Sequence, residues 1–224
     1  MSRESPGESP EPIRLEARWP IIVGVLVMLT ITVLRPAELR IAPRWVLPAF
    51  EGILIALLLT GHPAHLTRRA AGLRALSIAV VAVVLADTLA ATVRLVDVLI
   101  HGGHATNSAD QLLAAGALVW GCNVIAFALL YWLVDSGGAA ARTHRPRAHP
   151  DFAFPQQLTP EIAPAGWRPQ FLDYLYLSLT SSLAFSPTDV MPLVPWTKIA
   201  MAAQSLISIA VLGLVIARAV NVFT

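Results

Sequence analysis

The run from Ala71 to Ile100 is thirty residues long and holds only four charged side chains, Arg74, Asp87, Arg94 and Asp97. As a helix it extends about 45 Å, more than the roughly 30 Å of a bilayer's hydrocarbon core. Two further runs reach spanning length, Gln111–Val134 and Trp196–Val222. In hydrocarbon every backbone N–H and C=O must be satisfied inside its own segment or in a closed barrel. Unbroken apolar runs of this length therefore predict helices. Composition agrees: 56% of residues are hydrophobic and 13% charged, with a mean hydropathy of +0.65. An average soluble domain carries about 25% charged residues. This shortage excludes a disordered chain, a coiled coil and a basic nucleic-acid-binding domain, and it disfavours a soluble enzyme.

Two shorter apolar segments precede these runs, Trp19–Leu34 and Trp45–Thr60, each opened by a Trp as an interfacial aromatic belt would place it. The predicted fold is an all-α integral membrane protein with about five transmembrane helices. Residues 1–18 are rich in Ser, Pro and Glu and read as a flexible tail, not a signal peptide. Residues 19–135 form a four-helix membrane region, 136–170 a polar loop, and 171–224 the remainder of the fold. The loop is expected to be partly flexible near 137–149. Its stretch Asp151-Phe-Ala-Phe-Pro155 can dock aromatics on the membrane surface or on the helix ends. The apolar patch Phe171–Phe185 is too short to span, at about 22 Å of helix, and it carries Thr180, Ser181 and Ser182. It reads as a short re-entrant helix, with an interfacial helix lying flat as the alternative.

Charge inside apolar segments is costly, about 2.5–3.5 kcal/mol at the bilayer centre. Asp87 therefore needs a partner or a polar cavity. Arg94 lies two helical turns on along the same face, and the favoured reading is a structural pair, either Asp87 with Arg94 or an Asp–Arg pair between helices. An ion or proton pathway is the alternative. Glu51 is expected to reach the interface, and Arg218 to anchor the last helix. The lone Cys122 excludes an intrachain disulfide and reads as a small buried hydrophobe. His62-x-x-His65 and His101-x-x-His104 fall in expected loops with no third ligand, and read as solvated histidines. No metal site, cofactor or catalytic constellation is expected, and an enzyme is the least favoured class.

The segment Tyr174–Val222 resembles the pore helix, filter and inner helix of the potassium-channel superfamily. Tyr176-Leu-Ser-Leu179 matches the start of the pore helix, Asp189 the acidic residue after the filter, and Pro192 and Lys198 the proline and basic residue that follow. The resemblance implies pore- or filter-lining positions at Thr180, Ser182, Ala184, Phe185, Ser186, Pro187, Thr188 and Asp189. It also implies a homotetramer around a path for a small ion. Ser186 and Thr188 stand where a potassium filter has glycines that adopt positive φ, and Pro187 fixes its own φ near −65°. The expected filter is thus not of the potassium type. The whole chain is similar to a bacterial family of uncharacterised integral membrane proteins, through Asp151–Pro155, Phe171-Leu-Asp-Tyr174, Ser186–Asp189 and Ala219-Val-Asn221. That resemblance implies an architecture and a cell-membrane location but no activity.

Three functions stay open: a pore-loop ion channel, a transporter or small-solute binder with Asp87 coupling protons, and a non-conducting scaffold. Orientation stays open as well. A channel-like arrangement puts the pore loop outside and only five of the fifteen arginines inside. The positive-inside rule prefers the reverse, unless one of the short N-terminal segments does not span. A reporter fused after Thr224 reads the orientation directly. The channel-like arrangement predicts a cytoplasmic signal, and the arginine distribution an external one.

Overall fold

In a computed structural model of the protein, residues 19–60, 68–101, 108–144, 149–184 and 189–223 are described. The N-terminal tail, His62, His65, His104 and the filter-like Phe185–Thr188 lie outside them. The described chain is all-α apart from one two-residue strand pair. Helix α1 covers Trp19–Leu34, α2 Val46–Thr60, α3 Arg68–His101 and α4 Ala109–Val134. Short helices α5 (Ala139–His144) and α6 (Pro155–Leu158) follow, then α7 (Phe171–Ala184) and the long α8 (Pro195–Phe223). Among the described residues three helical stretches are long and apolar enough to cross a membrane: Gly72–His101, Asp110–Gly137 and Pro195–Arg218. The helices α1 and α2 are apolar but shorter.

Helix α4 lies at the centre and packs against α1, α3, α7 and α8. Every residue from Cys122 to Leu129 is buried. A helix apolar all round has no solvent face to present and must be surrounded. Helix α3 runs antiparallel to it: Arg74, near the start of α3, donates from Nε to the Leu133 carbonyl near the end of α4 at 3.3 Å. Helix α8 is antiparallel as well, with Gln204 beside Tyr131, Ser208 beside Asn123 and Val215 against Gly116.

The helices α1 and α2 form a hairpin against this core. The start of α1 lies near the end of α4, where Gly24 meets Phe171 and Phe171 in turn packs edge-on against Trp132. Further down, Ile31 approaches Gly121 and Arg35 reaches Cys122. The turn between α1 and α2 sits beside the stretch Asp87–Arg94 of α3, where Arg94 donates to the carbonyls of Glu38 and Arg40. Arg94 is seven residues, about 10 Å, short of the end of α3 at His101. The hairpin tip therefore stops before the helices it packs on.

Segment 171–192 leaves and rejoins one end of the bundle. Helix α7 begins beside Trp132 and descends between α4 and α8. Past its end at Ala184 the chain returns within seven residues to Met191, a reach of about 24 Å when extended. That matches the ~21 Å of the fourteen-residue helix. Strand β2 (Met191–Pro192) then pairs antiparallel with β1 (Phe152–Ala153), Phe152 opposite Pro192.

The polar loop closes this end. Residues Asp135–His144 turn sharply and form α5, and of the stretch 137–149 expected to be partly flexible, 145–148 lie outside the described residues. Ser136, Gly137 and Gly138 all adopt positive φ. At Gly138 a side chain would meet the Leu133 carbonyl at 3.0 Å, so both space and backbone conformation require glycine. Of the two docking surfaces open to its aromatics, the Asp151–Pro155 stretch takes the helix ends. Phe152 stacks edge-on with Tyr131, Tyr174 and Trp196, and Phe154 with Tyr174.

A Cβ on Gly116 would lie 2.6 Å from a methyl of Val215. Gly116→Ala is expected to lower stability in detergent by about 1–3 kcal/mol through overpacking. Val215→Ala in the same chain should restore most of the loss, and Gly213→Ala, with open space around it, should have little effect on the melting midpoint.

Candidate functional site

Two buried polar clusters interrupt the apolar core. The first joins α7 to α4 and α8. Gln204, fully buried, donates from Nε2 to the Ser178 carbonyl at 2.9 Å, to Ser178 Oγ at 2.6 Å and to Ser182 Oγ at 2.8 Å. Its Oε1 accepts from the Tyr131 hydroxyl at 2.7 Å. Ser178 Oγ donates to the Val124 carbonyl at 2.6 Å, Ser205 to the Ser181 carbonyl at 3.2 Å, and Asn123 to Ser208 Oγ at 3.0 Å. A buried amide left unpaired costs about 1–3 kcal/mol, so these partners set both the depth and the rotation of α7. Above them Tyr174 donates to Asp135, and Arg142 lies 5.1 Å from the Tyr174 ring centre while donating to the carbonyls of Trp132 and Asp135 at 2.9 Å.

The second cluster lies where the α1–α2 hairpin meets α3 and α4. Arg35, 2% exposed, forms an ion pair with Asp87 and donates from Nη2 to Cys122 Sγ at 3.3 Å. Thr32 donates to Glu51 Oε1 at 2.7 Å, and Glu51 is 1% exposed. A small cavity, of about 10 Å³, opens beside Thr32, Arg35 and Asp87 and runs past Arg40, Pro43 and Arg44. A space of that size is of the order that holds one water molecule.

Several expectations change at these clusters. Asp87 is paired as expected, but its partner is Arg35 on a neighbouring element, the second of the two pairings considered, and not Arg94. Facing along one helix was necessary for the expected pair, but the hairpin brings a guanidinium from a neighbouring helix end directly onto Asp87, while Arg94 is exposed and donates to the hairpin's backbone. Glu51 is buried and accepts from Thr32. Cys122 is buried as expected, yet it also accepts a hydrogen bond. Of the filter-like positions, Ser182 faces Gln204, and Thr180 bonds back to the Tyr176 carbonyl of its own helix at 2.9 Å. Ala184 and Asp189 are exposed on either side of Phe185, Ser186, Pro187 and Thr188, which lie outside the described residues. His101 is exposed and pairs with Asp97 at 2.9 Å. Among the described residues no group of His, Cys, Asp and Glu is arranged to hold a metal ion.

Sequence reasoning missed Arg35, Gln204 and Asn123. The signal for Gln204 and Asn123 was present, since an amide inside a long apolar run must find a partner. Arg35 sits one residue past α1, where it read as an ordinary loop cation. No family model, no curated protein and no solved structure matches the chain.

Asp87→Asn leaves Arg35 buried without its counter-charge, and a loss of about 3–5 kcal/mol is expected. The double variant Arg35→Met, Asp87→Leu removes both charges and should recover most of that loss. Thermal unfolding in detergent, followed by circular dichroism, compares the three chains.

Proposed function

We propose that the protein is a multi-pass protein of the cell membrane, built on a pore-loop plan and conducting a small ion. In this reading α4 is the outer helix, α7 the pore helix, residues 185–188 the filter-like segment and α8 the inner helix. The observation that carries it is the course of segment 171–192, which descends between two long apolar helices and returns to the end it left. A helix of fourteen residues is too short to cross hydrocarbon. The outward faces support the membrane setting: Leu206, Ile216 and Val220 on α8 are more than half exposed, which suits lipid or another subunit. Over the most apolar eighteen residues of each helix, 28% of α8 is buried, against 67% of α4. That leaves an apolar face for the homotetramer the pore requires.

Within this reading Ser178 and Ser182 hold the helix in place, because Gln204 engages their hydroxyls. Ser186, Thr188 and Asp189 are then assigned to the ion path. The missing glycines predict a filter that does not select potassium by backbone carbonyls. The hairpin α1–α2 braces α3 and α4 and takes no direct part in conduction.

Reconstitution into liposomes tests the proposal. Flux of a small ion is expected, together with a tetramer by native mass measurement. Asp189→Ala should change the cation-to-anion preference, and Gln204→Leu should abolish flux by releasing α7. A monomer that passes no small cation or anion overturns the reading.

A further inference from the structure

The α1–α2 hairpin carries more ionisable groups than its packing needs. Two carboxylates, Asp87 and Glu51, lie in one buried cluster with a single fully buried guanidinium, that of Arg35. Arg35 is committed: it pairs with Asp87 and donates to Cys122. Glu51 receives one hydrogen bond, from Thr32 to Oε1. Its second oxygen, Oε2, is buried with no hydrogen-bond partner, and so is Arg35 Nε. Both Arg35 and Asp87 are close enough to act on Glu51 electrostatically. The other charged groups facing the cluster are few. The hairpin turn contributes Arg40, whose guanidinium donates to the carbonyls of Val33 and Arg35, and the exposed Arg44. Helix α4 contributes only the Cys122 thiol.

We propose that Glu51, with Thr32 and the Arg35–Asp87 pair, forms a proton-binding site at the seat of the α1–α2 hairpin. The argument is one of charge balance. A buried carboxylate without a counter-charge is strongly disfavoured, and the one fully buried cation of the cluster, Arg35, is already paired with Asp87. The proton on Glu51 restores balance, and the bare Oε2 is the atom that carries it. The small cavity supplies the route. It is lined by Thr32, Arg35 and Asp87 together with Arg40 and the exposed Arg44. It has room for about one water, and Thr32, which lines it, bonds Glu51. A protonated water in the cavity would give its proton to the Thr32 hydroxyl as that hydroxyl passes its own to Oε1, and rotation of the carboxyl carries the proton to the open side, with Arg35 and Asp87 still paired. This site is separate from the α7–α8 segment and does not rest on ion conduction there.

Infrared difference spectroscopy of the full chain in lipid vesicles, between acid and alkaline buffer, tests the site. The wild type is expected to show the carbonyl stretch of a buried protonated carboxyl, lost on alkalinisation. Glu51→Gln, which keeps the shape of the protonated acid, should lose this band while unfolding at the same temperature as the wild type. Asp87→Asn removes the other carboxylate of the cluster and should change the pH at which the band is lost. Thr32→Val leaves the carboxyl in place and removes its donor, so it should shift the band frequency. A wild type without the band, or a band unchanged in Glu51→Gln, overturns the proposal. So does a Thr32→Val band at the wild-type frequency, which remains readable if the other variants fail to fold.

Discussion

The enclosure of α4 is the constraint on which the rest of the structure depends. Four helices pack against it, and its middle third has no exposed residue. Burial on all sides stabilises through apolar contact, but it also removes water from every polar atom on the helix. Cys122, Asn123 and Tyr131 therefore each find a partner on a different neighbour or turn: Arg35, Ser208 and Gln204. The Val124 carbonyl accepts a further bond from Ser178 of α7. Apolar contact tolerates sliding and rotation, whereas a hydrogen bond holds at one register. The few polar residues of α4 thus determine the height at which each surrounding element sits.

This division of labour explains the two ends of the bundle. At the end where α4 finishes, Asp135 and Ser136 turn the chain back under aromatic cover. Ser136 Oγ donates to Asp135 at 2.9 Å, and the Ser136 N–H donates to Asp151 at 2.9 Å. These bonds stabilise the left-handed backbone at Ser136, which is unusual for a residue other than glycine. Asp151 in turn leads into the strand that pairs with the return from α7. Cap, strand pair and the descent of α7 are consequently one connected unit. At the other end, the hairpin tip is held by its arginines and by the backbone carbonyls they reach.

Much of the fold was legible in the chain. The limits of α1 and the start of α7 fall where the apolar segments begin and end, because Pro and charged residues bound them. The shortness of Phe171–Phe185 and its three hydroxyls marked it as a helix that does not cross, and α7 ends at Ala184. The candidate sites were less legible. Asp87 was marked by its cost, but its partner is 52 residues away in sequence, on a hairpin whose packing no periodicity describes. Glu51 looked peripheral because it is close to the start of its segment, yet the hairpin turn carries that start inward beside Thr32. Arginines 142 and 35 read as loop charges for the same reason: exposure depends on what folds over them.

Helix positions, lengths and apolar character follow from the sequence by itself, since a helix satisfies its backbone within its own segment and the apolar run sets how much of it can leave water. The tertiary structure alone decided which helix lies at the centre, which cation meets Asp87, and where the loop's Phe152 docks. Periodicity tells which face of a helix must be covered, but several neighbours could cover an apolar face equally well. Buried polar groups break that degeneracy, because each requires a particular partner within hydrogen-bonding distance, and only the assembled bundle brings the two together.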